Sequence, residues 1–418
     1  MPETKLSRVA AFLSRWAQDK RVLWGLFILA LLTRIVGMVA GGTRAEDDDH
    51  WHLKMAQNFL AGNGLRLDID SWPTYSYIQP GLAVIHIVFM LLFKNFFLAE
   101  RVFLVLFSSA TIIFFFFLCK KLFSPAAALL STVWLIFYPP QWFWMTRLNP
   151  HSFATNMLVI GFLLLFIGWD KKSVWLAFVV GFLWGALTLM RPEYELGIFC
   201  LALASFIFFA TSQLKWSFSM TLILGWVVFL SPWVIRNYRI HGRPVIATTH
   251  YGINVWMVFH PDYNFDATSM VPSKELASKL ASEPNEVKRA DLYVAEAMKN
   301  IRSNPSMAAR HALLNFLTYW RPWLSPKVTS LAENIVYTGS YAPLFILFLI
   351  GLWKMPWRDP HWIAIYVFFV YKMLAHIPFY MIVRFREATM PLMLLIATIP
   401  LNDWLNSSTV SSHDRRID

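Results

Sequence analysis

The sequence predicts an all-α polytopic membrane protein, and three observations predict it. Of 418 residues, 57% are hydrophobic and 17% aromatic, and the mean hydropathy is +0.48. Only 15% are charged, against roughly 25% in soluble domains. Apolar stretches long enough to cross a bilayer recur along the chain. The net charge of +12 suits loops on an anionic cytoplasmic leaflet and is not read as nucleic-acid binding. Cys119 and Cys200 both lie in apolar segments, so neither a disulfide framework nor a thiolate metal site is implied.

Residues 1–21 form a cytoplasmic amphipathic helix in this reading. Leu6, Val9, Leu13 and Trp16 fall at helical spacing, with Lys5, Arg8 and Arg15 beside them. The first span, Val22 to Gly42, is apolar apart from Thr33 and Arg34. Its length and basic preceding region fit an uncleaved anchor. Arg34 should face the bundle or a wet cavity, and as an intramembrane arginine it is an accessory site candidate.

The first outer loop, 42–79, follows. Trp51, Met55, Phe59 and Leu60 recur at helical spacing, so 49–61 reads as a surface-lying helix ended by Gly62-Asn63-Gly64. Trp72, Pro73, Tyr75 and Tyr77 form an aromatic, turn-rich segment suited to the interface.

Further apolar segments run over 80–98, 99–118, 125–145, 152–169, 174–190, 195–212, 216–235, 336–353, 361–379 and 388–404. Lys120-Lys121, Lys171-Lys172, Lys215 and Lys354 with Arg358 belong in the cytoplasm by the positive-inside rule. The 99–118 span must then start outside, where the first span already ends. Residues 80–98 therefore form a re-entrant or surface-lying helix. About ten to eleven transmembrane helices are expected, ten if 80–98 does not cross. The long outer loop 236–335 is partly helical. Ser282 is expected to cap a helix whose apolar face is Val287, Ala290, Val294, Ala297, Met298 and Ile301; Asn304-Pro305 ends it and starts another, to about Trp320. The transmembrane domain thus covers 22–404. Residues 405–418 are a cytoplasmic tail, polar and disordered from Ser407.

Charge gathers on the outer face. Glu46-Asp47-Asp48-Asp49-His50-Trp51 closes the first span. Carboxylates this close raise one another's pKa or recruit a cation, although such a run is as often a solvated turn. Arg147, Arg191, Arg236, Arg239, Arg384 and Arg386 stand in later outer loops, against the positive-inside bias. Guanidinium groups match phosphate, so a phosphorylated lipid head group is the expected partner, with Glu193, Glu195 and Glu387 as the plainer one.

The chain resembles the GT-C superfamily of integral-membrane glycosyltransferases, which contains aminoarabinose transferase and protein O-mannosyltransferases. The resemblance rests on Asp47-Asp48, Trp51 and the run Asn58 to Gly64, then on Gln79-Pro80-Gly81-Leu82. It continues in Gly185 to Glu193 with its Arg191-Pro192, in Ser231-Pro232-Trp233 with Arg236-Asn237, and in Thr249 with Gly252-Ile253-Asn254. It implies a hexosyl- or pentosyltransferase, inverting at the sugar carbon. The donor is a polyprenyl-phosphate-linked sugar and the acceptor a lipid, glycan or protein. The protein would be multi-pass in a bacterial inner membrane, among membrane lipid, with its active site on the outer, periplasmic face. Asp47 and Asp48 take the catalytic role, and Arg384, Arg386, Arg236 and Arg191 the donor phosphate. Asp49, His50, Arg34 and His151 are accessory, and the cofactor is unknown, a divalent metal ion being one candidate. The chain departs from the family at Arg147-Leu148-Asn149-Pro150-His151, where many members carry a second acid. A catalytically silent assembly partner of the same fold therefore stays open. A transporter of lipid-linked substrate fits less well, since no repeat is visible and charge collects at one face.

Overall fold

A computed structural model describes residues 5–40, 47–69, 72–263, 270–325 and 329–410. The chain starts with α1 (Lys5–Trp16) and α2 (Lys20–Ala40). Then come α3 (Asp47–Leu60), a hairpin of β1 (Leu67–Ile69) and β2 (Trp72–Thr74), and α4 (Gly81–Leu92). Next are α5 (Phe96–Leu122), α6 (Pro125–Phe137), α7 (Pro139–Trp144), α8 (Pro150–Asp170) and α9 (Val174–Met190). One 3-10 turn (Pro192–Tyr194) leads to α10 (Gly197–Phe208) and α11 (Leu214–His241). The long loop carries α12 (Tyr251–Val258), α13 (Lys274–Ser282), α14 (Glu286–Ser303) and α15 (Pro305–Trp320). The chain closes with α16 (Leu331–Lys354), α17 (Pro360–Ala375), α18 (Arg384–Glu387) and α19 (Met390–Val410). Among the described residues five helices, α2, α5, α8, α11 and α16, are long and apolar enough to cross a membrane, and shorter apolar helices pack among them. The fold is that of an all-α membrane protein.

Residues 125–145 make two helices instead of one. Pro139 and Pro140 lack an N–H, so the Ile136 carbonyl loses the helical donor four residues on. Arg34 Nη1 donates to that carbonyl at 3.3 Å, and Trp142 Nε1 donates to it as well. Arg34 is 1% exposed. It faces the bundle, as expected of an intramembrane arginine, and its role is to satisfy a broken helix.

Two glycines set the tightest helix pair. A Cβ on Gly181 of α9 would lie 1.9 Å from the Leu222 carbonyl of α11, and one on Gly225 would lie 2.2 Å from the Phe178 carbonyl. Small residues let the two backbones meet where lipid supplies no hydrophobic drive. This pairing fixes the C-terminal ends of α9 and α11, which bear Arg191 and Arg236.

After the first span α3 starts two residues earlier than predicted and ends at Leu60, one residue earlier than predicted, before Gly62 turns the chain at φ +82°. The aromatic segment after it includes the antiparallel hairpin, a pairing that the sequence reading missed. The 12 residues of α4 span about 18 Å at a helical rise of 1.5 Å, short of the roughly 30 Å hydrocarbon core. In the long loop Ser282 ends α13 and does not cap the next helix. Asn285 caps α14, its Oδ1 accepting from Val287 N at 2.9 Å. Val287, Ala290 and Ala297 are buried, while Met298 is 39% exposed. Asn304 caps α15 as predicted, accepting from Met307 N at 3.0 Å. At the chain's end α19 continues helical through Val410, where disorder was expected from Ser407.

The length of α4 yields a labelling test. Lys94 is exposed between α4 and α5. In intact spheroplasts Lys94→Cys should react with a membrane-impermeant maleimide, and Lys121→Cys only after permeabilisation. Protection of Lys94→Cys until permeabilisation would make α4 a crossing helix.

Candidate functional site

The loops that the lysine pattern assigns to the outer face surround a cavity of about 2570 Å³. Pockets for single small ligands are typically about 300–1,000 Å³, so this one has room for two. Trp51, His52 and Tyr77 of the first loop line it. Arg147, Arg191, Glu193, Glu195 and Arg384 line it from the later loops, and His250 and Asn254 from the long loop.

One part of the wall is cationic. The Arg147 guanidinium lies 3.7 Å above the Phe143 ring and 5.5 Å from that of Trp144, and Arg384 lies 5.6 Å from the same Trp144 ring. Burial, reinforced by the charge of Arg384, pulls Arg147 down to about 10. Arg191 Nε donates to both Glu193 oxygens at 2.9 and 3.1 Å. Lys372 of α17, 0% exposed, reaches Glu193 Oε1 at 2.9 Å. Burial alone would raise the Glu193 carboxyl, but Arg191 and then Lys372 outweigh it and hold it well below the usual carboxylate range. Arg191 and Lys372 thus share the Glu193 carboxylate, beside Arg147 and Arg384 in the same part of the cavity. Behind them Phe385 stacks between His151 at 5.3 Å and His376 at 5.5 Å. Neither ring nitrogen of His151 has a hydrogen-bond partner.

The predicted site residues separate. Arg191 and Arg384 line the cavity. Arg386 was predicted to bind phosphate and instead is fully buried. Its Nη1 donates to the carbonyls of Tyr319 and Arg321 at 2.7 and 3.1 Å, and its Nη2 to Tyr337 Oη at 2.5 Å. Its guanidinium also covers the Tyr341 ring at 3.7 Å. Tyr337 in turn donates to Glu387 Oε1 at 2.5 Å. With those hydrogens committed, Arg386 is a structural arginine. Arg236 is likewise engaged, by Nη1 with the Tyr75 carbonyl at 2.9 Å and by Nη2 with that of Leu65 at 2.5 Å. Arg239 and His50 are exposed.

Asn149 has a local reason to be an amide. Its Oδ1 accepts from Ser152 N at 3.0 Å, capping α8, with Pro150 in the first turn. Glu46 lies outside the described residues, as do the side chains of Asp47, Asp48 and Asp49. The backbone puts all three aspartates in the first turn of α3, Asp47 one turn before Trp51 and Asp48 one turn before His52.

Sequence reasoning missed Lys372 and His376. A lone lysine in an apolar span is the same signal that singled out Arg34. It also missed the buried pair of His86 with Glu100, at 2.9 Å between α4 and α5. Glu195 was read only as an arginine partner, yet it lines the cavity, where burial raises its carboxyl to about 7. Among the described residues no group of three His, Cys, Asp or Glu side chains is placed to hold a metal ion.

No protein-family model matches the sequence, and no curated protein does. Solved structures match the fold. The oligosaccharyltransferase of Archaeoglobus fulgidus, tethered by a disulfide bond to an acceptor peptide, aligns at a TM-score of 0.58. Its identity is 12% over 93% of this chain and 50% of that one. Its complex with Zn and sulfate aligns at 0.51, with 13% identity over 94% and 51%. The same enzyme, AglB, with an inhibitory peptide and a dolichol-phosphate aligns at 0.50, with 12% identity over 95% and 52%. The chain therefore spans about half the length of these proteins. At such identity the likeness is one of fold: the chain shares its fold with about half of these oligosaccharyltransferases.

Two outcomes separate structural from cavity-lining groups. Arg386→Met leaves Glu387 buried without its cation and should cost on the order of 3–5 kcal/mol. Arg384→Met should leave the thermal midpoint in detergent nearly unchanged. Equal midpoints for the two variants would remove the distinction. Glu195 supplies a pH dependence. Its pKa is raised in the folded state, so its contribution to stability is fully present below the unfolded value near 4.5 and is lost as pH rises through about 7. Glu195→Gln should flatten that part of the profile of thermal midpoint against pH. Parallel profiles would show a carboxyl of ordinary pKa.

Proposed function

We propose that this protein is a membrane glycosyltransferase that moves a hexosyl or pentosyl group from a polyprenyl-phosphate donor to a hydroxyl-bearing acceptor on the outer face. The observation that carries the reading is the wall of Arg147, Arg191 and Arg384 in a cavity that also takes lining from α3, the helix that begins at Asp47. The shared fold with oligosaccharyltransferases supports it. The dolichol-phosphate bound in one of those structures supports a lipid-phosphate donor.

In this mechanism the Asp47 carboxylate takes the proton of the acceptor hydroxyl. The oxygen attacks the anomeric carbon from the face opposite the phosphate, and the carbon–oxygen bond to phosphate breaks with inversion. The bonding electrons leave on the phosphate oxygen, where Arg384, Arg147 and Arg191 offset the charge. Lys372 keeps Arg191 in place through Glu193. Asp48 assists by hydrogen bonding.

The test is transfer from a lipid-phosphate sugar in purified protein, together with envelope glycans compared with and without the gene. Asp47→Asn should lower turnover about 10²–10⁴-fold, the usual loss for a general base, while donor binding persists. Arg384→Ala should raise the donor KM roughly tenfold, since a charge-assisted bond contributes about 1.5–3 kcal/mol. Near-normal turnover in Asp47→Asn would cancel its catalytic role. If Asp48→Asn is equally harmless, the silent-partner reading replaces this one.

A further inference from the structure

A second wall of the cavity is built from other elements. Trp51 of α3 lies 5.8 Å from Tyr77, ring centre to ring centre, and Tyr77 lies 4.6 Å from His250 at the start of α12. Interplanar angles of 40° and 36° at these separations make the three rings one packed aromatic cluster. All three are half-buried and line the cavity, with His52, Gln79 and Asn254 as polar neighbours in the same lining.

The backbone carrying this wall is already engaged. Tyr75 N and Ser76 N donate to the two Glu286 carboxylate oxygens at 2.9 and 2.7 Å. The Tyr75 carbonyl accepts from Arg236 and the Ser76 carbonyl from Thr249 N at 2.7 Å. The Tyr77 carbonyl accepts from the Thr248 hydroxyl. An extended peptide that binds by adding a strand needs open main-chain groups, and these are spent. What the wall brings to the cavity is aromatic side chains with polar ones beside them. Aromatic faces set among a few polar groups suit a ligand with an apolar face and a polar edge. A pyranose is such a ligand, since its axial C–H bonds form a face and its hydroxyls an edge.

We infer that Trp51, Tyr77 and His250 form a saccharide-binding wall, so that the cavity takes a sugar ring there. The glycosyltransferase reading enters only in deciding which sugar: the head group of the donor or the terminal residue of a glycan acceptor. Glu286 is a positioning residue for the wall, because it holds the segment that presents Tyr77.

The test is saturation-transfer NMR on the full chain in detergent, with methyl β-glucoside and methyl α-mannoside as probes. It needs no turnover, so it can fail while transfer activity stands, and the reverse. Ring C–H protons of at least one glycoside should receive saturation from the protein. Trp51→Leu and Tyr77→Leu should weaken binding about fivefold or more, an aromatic contact being worth about 1 kcal/mol. Trp51→Phe should keep most of it, which controls for damage to α3. Glu286→Ala should weaken binding with Trp51 and Tyr77 unchanged, and Glu286→Gln, which keeps acceptor oxygen on one of the two amides, should restore part of it. Farnesyl phosphate and its glucosyl ester separate the two sugars. Displacement by the ester alone marks a donor-sugar site, and displacement by neither marks an acceptor site. No transfer to either glycoside, or equal transfer in wild type and both leucine variants, would overturn the inference.

Discussion

The half of this protein that holds the cavity depends on one buried cation. Arg386 ties the carbonyls at the end of α15 to Tyr337 on α16, and Tyr337 passes the connection to Glu387. The Glu387 carbonyl accepts from Gln141 of α7 at 3.0 Å, so a fourth element joins. Burial would lower the pKa of Arg386, but Tyr337, Tyr341 and Glu387 outweigh it and push the pKa up. A guanidinium is suited to this place because it stays charged and donates in several directions at once. The consequence for the site lies two residues back. With Arg386 turned inward within the single turn of α18, Arg384 is left at the cavity and Phe385 between two imidazoles.

A carboxylate does the corresponding work on the other side. Glu286, 4% exposed, accepts two backbone N–H groups of the first loop and meets His241 Nε2 at 3.0 Å. Ser76 Oγ meets the same nitrogen at 3.0 Å. Serine, histidine and carboxylate stand together here, yet both contacts converge on one ring nitrogen, so no proton relay runs through the imidazole. The arrangement is a clamp between α11, α14 and the first loop. It places Tyr77, against whose ring Trp51 packs, one turn along α3 from Asp47. The geometry around the acidic cluster is therefore set by residues more than 160 positions away in the chain.

Much of the fold was legible because membrane helices declare themselves by length and composition. Residues 174–190 were bounded to the residue. The break at Tyr138 was equally present in the sequence as Pro139-Pro140, but hydropathy averaged over it. The site was legible in part. Excess arginine in the later loops pointed to the cavity, yet charge alone does not tell a buried hub from a ligand-facing group. Arg384 and Arg386 differ only in which way a four-residue helix turns them, and packing against α15 and α16 decides that. Glu286 carried no signal, since a glutamate in the first turn of a helix is ordinary for dipole reasons alone.

The separation of charge within the cavity also accounts for Asn149. The resemblance calls for an acid near this position, but the wall formed by Arg147 on one side and His151 on the other already has a carboxylate, Glu193, brought in from the next outer loop. Glu193 is engaged by Arg191 and Lys372 together, so it moderates the field of the cations without cancelling it. A carboxylate at 149 would add negative charge beside this wall, whereas the amide adds none and accepts the Ser152 N–H that starts α8. The half-buried setting matters, because a low effective dielectric strengthens both the attraction of the wall for an anion and the repulsion among its cations. Stacking on Phe143, Trp144 and Phe385 offers each guanidinium a weakly polar support.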